Sequence, residues 1–235
     1  MHIKGFHGVS LIDYPSKISS ILFTGGCDFK CPFCQNSDLV IHAQVNPDIS
    51  IDEILLELSE RKGFIDGVVI TGGEPTIHNT LGSFITAVKK IGLLVKLDTN
   101  GNNPRLLKQL LNDNLIDYIA MDIKAGPRNY NRAAGVLVDI NRIQESVDLI
   151  KSSSIAFEFR TLCVPGLIDE EELRSIGQMI RTTDKWYLHQ FRAVSTLDPS
   201  FCEIVPYTME NMKTLAGIAQ EYSKFVGVRG LVDFK

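Results

Sequence analysis

Three of the chain's five cysteines, Cys27, Cys31 and Cys34, fall within the eight residues CDFKCPFC, a C-x3-C-x2-C spacing in a loop that also holds Gly25, Gly26 and Pro32. Thiolates so spaced can wrap one compact metal centre. An odd, crowded set is not the pattern of a secreted disulfide scaffold. Two chemistries suit it. Structural zinc wants four ligands, and His42, eight positions beyond Cys34, would complete a Cys3His set. A four-iron cubane held by three cysteines instead leaves one iron open to a ligand. The zinc reading lacks a second ligand pair in tight spacing, and it leaves unexplained the polar groups that recur at strand ends further along the chain. The open cubane accounts for both. Cys163 and Cys202 stand alone and are expected to be small buried hydrophobes.

Such a loop needs a frame. Short apolar runs alternate with segments of helical period at intervals of roughly thirty residues, the rhythm of βα units. Strands are expected over 19–26, 66–73, 93–100, 116–124, 155–162 and 185–191, with Trp186 and the strand phenylalanines in the core. Helices are expected near 50–62, 79–91, 104–113, 139–151, 169–182 and 208–222. Ser50, Asn79 and Asp169 are the candidate N-caps. Near-continuous apolar strands separated by helices imply a parallel sheet covered by helices, doubly wound or curled into a full or partial barrel. Nearly every expected strand ends in polar or glycine-rich chemistry: Cys27, TGGEP, LDTNG, MDIKAG, FRTLCVPG and HQF. Carboxyl ends of parallel strands line the ligand site, so these groups should converge on one mouth.

Composition narrows the class. The chain has 235 residues, 44% hydrophobic and 22% charged, enough for one large α/β domain over 1–235 with its core over about 18–225. A net charge of −4 with scattered Lys and Arg offers no basic stripe, so no nucleic-acid partner is expected. The opening MHIKGFHGVSLIDYPSK has no apolar signal region, and no run is long enough to cross a bilayer; a cytoplasmic location is the expectation.

A C-x3-C-x2-C loop after the first strand, with Phe33 just before the third cysteine, resembles the signature of the radical S-adenosylmethionine (SAM) superfamily. The resemblance implies a partial (β/α)6 TIM-type barrel and a single 4Fe-4S cluster on Cys27, Cys31 and Cys34, with SAM chelating the open iron. Gly72, Gly73 and Glu74 of GGEP resemble the family motif that receives the methionyl amine. Two glycines let backbone approach a ligand closely, and a carboxylate adds negative charge. The series LDTNG, MDIKAG and FRTLCVPGLID resembles the pyruvate formate-lyase activating group, and the N-terminal stretch resembles anaerobic ribonucleotide reductase activators. Carried over, Lys124 and Arg160 would hold the SAM carboxylate and His189 would lie near the nucleoside. Asp98 and Asp122 would bind a monovalent cation or the ligand.

The resemblance further implies reductive cleavage of SAM to a 5′-deoxyadenosyl radical and abstraction of hydrogen from a backbone glycine of a partner glycyl-radical enzyme, with anaerobic ribonucleotide reductase the expected partner. A flavodoxin or ferredoxin would donate the electron. No further cysteine pairs follow Cys34, so one cluster is expected, and the short stretch after the last helix suggests an open mouth suited to a protein substrate. The alternatives are a small-molecule radical SAM enzyme, such as one making 7-carboxy-7-deazaguanine, and a zinc-binding module.

Overall fold

A computed structural model describes residues 1–231. Eight strands form one sheet in sequence order. They are β1 (Ile3–Ser10), β2 (Ser19–Thr24), β3 (Gly67–Gly72), β4 (Leu94–Thr99), β5 (Tyr118–Asp122), β6 (Ala156–Cys163), β7 (Thr183–Gln190) and β8 (Ser223–Arg229). β1 pairs with β2 antiparallel, and every later pair is parallel. The helices are α1 (Ser37–Ile41), α2 (Ile51–Glu60), α3 (Leu81–Ile91), α4 (Pro104–Asn112), α5 (Tyr130–Ala134), α6 (Ile140–Ser152), α7 (Glu170–Ile180) and α8 (Met209–Ala219). The sheet curls without β1 meeting β8, so it is a partial barrel of the expected class, with one more parallel strand than six and an antiparallel strand at its edge.

Side-chain alternation decides what each face does. On β4, Val95 and Leu97 point outward into the helix-covered core while Lys96 and Asp98 point inward; on β6, Phe157 and Phe159 go out while Glu158 and Arg160 go in. The outer core runs through Leu22, Ile70, Ile119, Phe159, Trp186 and Leu188, all buried, against apolar stripes of α3, α4, α6 and α7. A smaller apolar cluster of Tyr14, Ile21, Val69 and Tyr118 fills part of the interior. Register sets the inner row: Asp122 pairs with Arg160, Arg160 with Tyr187, and Leu162 with His189. Successive strands therefore deliver their polar residues at similar heights.

The caps differ in part from expectation. Asp169 accepts from the Glu172 amide at 2.8 Å and caps α7 as expected. Ser50 precedes α2 without a side-chain cap, and the residue before α3 is Thr80 rather than Asn79. Thr80 Oγ1 is occupied instead by the N-terminal ammonium at 2.7 Å.

Cys163 is fully buried, but Cys202 is exposed. Cys202 sits in the 3-10 segment Pro199–Glu203, which has no buried residue, and its thiol meets the Thr196 hydroxyl at 3.2 Å. Among the described residues, no helix is long and apolar enough to cross a membrane.

Candidate active site

The cysteine loop leaves β2 and is held from several directions. The Lys30 amide donates to Ala134 O at 2.8 Å, the Leu197 amide to Cys34 O at 3.0 Å, and the Asp198 amide to Pro32 O at 2.9 Å. Phe29 and Phe33 are buried, Phe29 edge-on to Tyr130 and Phe33 tilted against Phe201. These contacts tie the loop to connections that follow β5 and β7. The thiols are thus placed by the whole mouth.

A cavity of about 360 Å³, within the ordinary range for small ligands, opens there. Its wall includes every site residue implied by the radical SAM resemblance: Cys27, Cys31 and Cys34; Phe33; Gly72, Gly73 and Glu74; Asp98; Asp122 and Lys124; Arg160; and His189. His42 is absent from the wall and stands exposed at the end of α1. The Cys3His zinc set is therefore not assembled. Among the described residues, no three His, Cys, Asp or Glu side chains converge on one ion position.

Burial chiefly pushes the Cys27 thiol up to about 12, and it pushes Cys31 up to about 11 against the nearby Lys124 charge. Both carry protons at neutral pH until a metal displaces them. Three thiols facing one cavity are a fitting donor set for a cluster with an open iron.

The GGEP turn is set by close approach. Gly72 has φ of +112°, with the Thr24 backbone of β2 lying 2.5 Å from where a Cβ would be, and a Cβ on Gly73 would lie 1.9 Å from Gly26 O of the cysteine loop, so neither position accepts a side chain without moving backbone. This leaves backbone exposed to the cavity, as a cradle for a ligand requires. Asn36, which the sequence reading passed over, fixes the turn by donating to Gly72 O at 3.2 Å.

Glu74 behaves differently from the expectation that it offers charge to a ligand. It is 1% exposed and its oxygens are taken internally: Oε1 accepts from the Thr76 amide (3.0 Å), the Thr76 hydroxyl (2.6 Å) and the Thr99 hydroxyl (2.8 Å), and Oε2 from the Asn100 amide (2.6 Å). It ties the β3 turn to the end of β4. Asn100 and Asn102 extend that tie to Asp28, beside Cys27, at 2.8 and 2.7 Å. Burial pushes the Glu74 carboxyl up to about 7, against the pull of its donors.

A raised carboxyl favours the fold below its unfolded value and costs stability as pH climbs from about 4.5 to about 7. Glu74→Gln is expected to lose about 2–3 kcal/mol, because its amide group would face buried N–H donors, and to flatten the pH dependence over that interval. Denaturant midpoints at several pH values check this.

Three cations lie among two carboxylates along the inner wall. Arg160 Nε donates to Asp122 Oδ1 at 2.7 Å and Nη1 to Asp98 Oδ2 at 3.0 Å, Lys124 donates to Asp122 Oδ2 at 3.0 Å, and Lys96 closes on Asp98 Oδ1. His189 Nε2 is buried without a partner among the described residues, and burial, helped by the Arg160 charge, pushes the imidazole down to about 4. It is neutral at physiological pH. A neutral, unpaired ring nitrogen and an excess of positive charge on the same wall suit a ligand that carries a carboxylate at one end and a hydrogen-bonding ring at the other.

Residues 21–177 match the family model described as the Radical SAM superfamily. The chain belongs to this superfamily. Membership implies a 4Fe-4S cluster and SAM as cofactors, and the zinc-module alternative falls away. A protein of Methanocaldococcus jannaschii, named as a candidate glycyl-radical enzyme activating enzyme, is 32% identical over 97% of this chain and 95% of its own length. The pyruvate formate-lyase-activating enzyme of Staphylococcus aureus is 27% identical over 94% of this chain and 87% of its own. In fold, this radical SAM chain is similar to Streptococcus suis SuiB, with a TM-score of 0.69 and 15% identity over 89% of this chain; it spans 48% of SuiB.

Proposed function

We propose that this radical SAM enzyme is an activase that takes hydrogen from a backbone glycine of a partner glycyl-radical enzyme. The observation that carries the reading is the near full-length similarity to a relative named as a candidate activator of this kind. An anaerobic ribonucleotide reductase is the partner the N-terminal resemblance suggests, with a flavodoxin or ferredoxin as reductant.

In this reading Cys27, Cys31 and Cys34 hold the 4Fe-4S cluster, which when bound supplies the electron that cleaves SAM. Lys124 and Arg160 bind the SAM carboxylate through charge-assisted hydrogen bonds. The Gly72–Gly73 backbone receives the amine, and neutral His189 offers its unpaired nitrogen to the nucleoside. Phe33 and Leu162 help exclude water from the reacting centre. A loose monovalent cation beside Asp98 and Asp122 would require Lys96, Lys124 or Arg160 to give up a carboxylate oxygen.

Glycine suits the mouth because its Cα hydrogen is accessible and no side chain keeps the backbone away. The test is anaerobic: reconstituted, reduced enzyme with SAM and an anaerobic ribonucleotide reductase as the candidate glycyl-radical partner. The expected result is 5′-deoxyadenosine together with a glycyl-radical electron paramagnetic resonance signal on the partner. 5′-Deoxyadenosine without any signal on such a partner would overturn the activase reading and leave the small-molecule alternative.

A further inference from the structure

The charged wall continues behind the cavity. Lys96 does not line the cavity, and its side chain is only 3% exposed, with the Tyr118 ring centroid 6.0 Å from its ammonium. It reaches Asp98 from the far side, taking Oδ1 while Arg160 takes Oδ2. With Lys124 and Arg160 on Asp122, all four oxygens of the two carboxylates are occupied, and three cations stand against two anions. A buried ammonium carries a desolvation cost that a well-packed apolar side chain at the same place would avoid. Its effect is on the remaining charges. Without Lys96, two carboxylates would balance Arg160 and Lys124, and Asp98 would draw the guanidinium toward its bare oxygen.

We propose that Lys96 is a positioning residue for SAM: it takes up the charge of Asp98 from behind, so that Arg160 and Lys124 together present one uncompensated positive charge to the ligand's carboxylate. This rests on the reading that the carboxylate lies at the Lys124 end of the wall. The excess charge is a property of the protein alone. Lys96 supplies it without occupying ligand space, and because its ammonium is covalently tethered it does not depend on the salt in solution.

The experiment is a double-mutant cycle on SAM binding to the cluster-loaded, unreduced enzyme, measured by anaerobic equilibrium dialysis so that no turnover intervenes. Lys96→Met is expected to weaken binding about tenfold in the otherwise unchanged enzyme, equivalent to about 1.4 kcal/mol. In the Asp98→Asn background, with no carboxylate left for Lys96 to offset, the same change is expected to cost less than about threefold. Equal losses in both backgrounds, or no loss in either, would overturn the proposal, since a packing role persists without Asp98. Should Lys96→Met alone fail to fold, the comparison within the Asp98→Asn background still decides: a tenfold loss there sinks it. Lys124→Met serves as the control. If it binds SAM as the unmodified enzyme does, the carboxylate placement itself is wrong; if it weakens binding while Lys96→Met does not, only the role of Lys96 fails.

Discussion

Cys31→Ala is expected to leave a folded protein that neither assembles its iron–sulfur cluster nor forms 5′-deoxyadenosine. Cys31 is buried in the wall of the cavity with Cys27 and Cys34, and none of the three is in a disulfide. Removing a single sulfur from the core costs about 1 kcal/mol, so the melting transition should survive. The functional loss should exceed about a hundredfold, the upper range for losing a group that only supports a metal ligand from behind. Cys163 provides the contrast. It is as buried, but it lies on the outer face of β6, packed in the apolar core, with its thiol directed at Thr161 O at 4.0 Å. Cys163→Ala should lose a similar small amount of stability and retain its iron. Iron and sulfide stoichiometry after anaerobic reconstitution, set beside thermal melts, separates the two; retention of a full cluster by Cys31→Ala would refute the ligand assignment.

That contrast shows which parts of the molecule were legible in the sequence. The three cysteines and the polar strand ends could be read because each motif is local: spacing along the chain fixes its chemistry, and parallel topology alone brings strand ends to one mouth. The same logic reached His189 and Arg160, whose strands are separated from the cysteine loop by most of the chain. What was missed depends on register or on partners far away. Lys96 sits inside LLVKLDTN and Glu158 inside IAFEFRTL, where a lone charge looks like an interruption of an apolar strand. The first meets Asp98, and the second is paired with Arg229 from β8, at 2.8 Å across seventy-one positions.

β8 itself, SKFVGVR, and β1, IKGFHGVS, carry glycines and too few large apolar residues to announce strands, and both lie at sheet edges where one side needs no partner. α1 and α5 are five residues each, too short to show a helical period. Glu74 has a structural task the motif does not announce: its position is marked by GGEP, but only the positions of Thr76, Thr99 and Asn100 show that it ties the mouth together.

Arg160→Leu is expected to be the most damaging change to stability in the charged wall, and its effect should depend on pH in a direction opposite to ordinary acid denaturation. Burial pushes Asp98 and Asp122 up, but Arg160 outweighs it together with Lys96 at Asp98 and Lys124 at Asp122, so both carboxyls sit below the usual range. Carboxyls lowered in this way contribute stability above their unfolded value, near 3.8, that is lost as pH falls below it; between pH 7 and 5 they leave the unmodified protein's stability flat. Taking away the guanidinium strips one partner from each carboxylate. The loss at pH 7 should be about 3 kcal/mol, toward the lower end for breaking a buried pair because each aspartate keeps a lysine. Desolvation is then less fully opposed, both carboxyls rise, and protonation becomes a route to relief. The gap between Arg160→Leu and the unmodified protein should therefore narrow from pH 7.5 to pH 5. Urea midpoints at the two pH values test it: a gap that widens on acidification would mean that the aspartates are not held ionised by Arg160, and the balance of three cations against two anions that shapes the SAM end of the cavity would have to be redrawn.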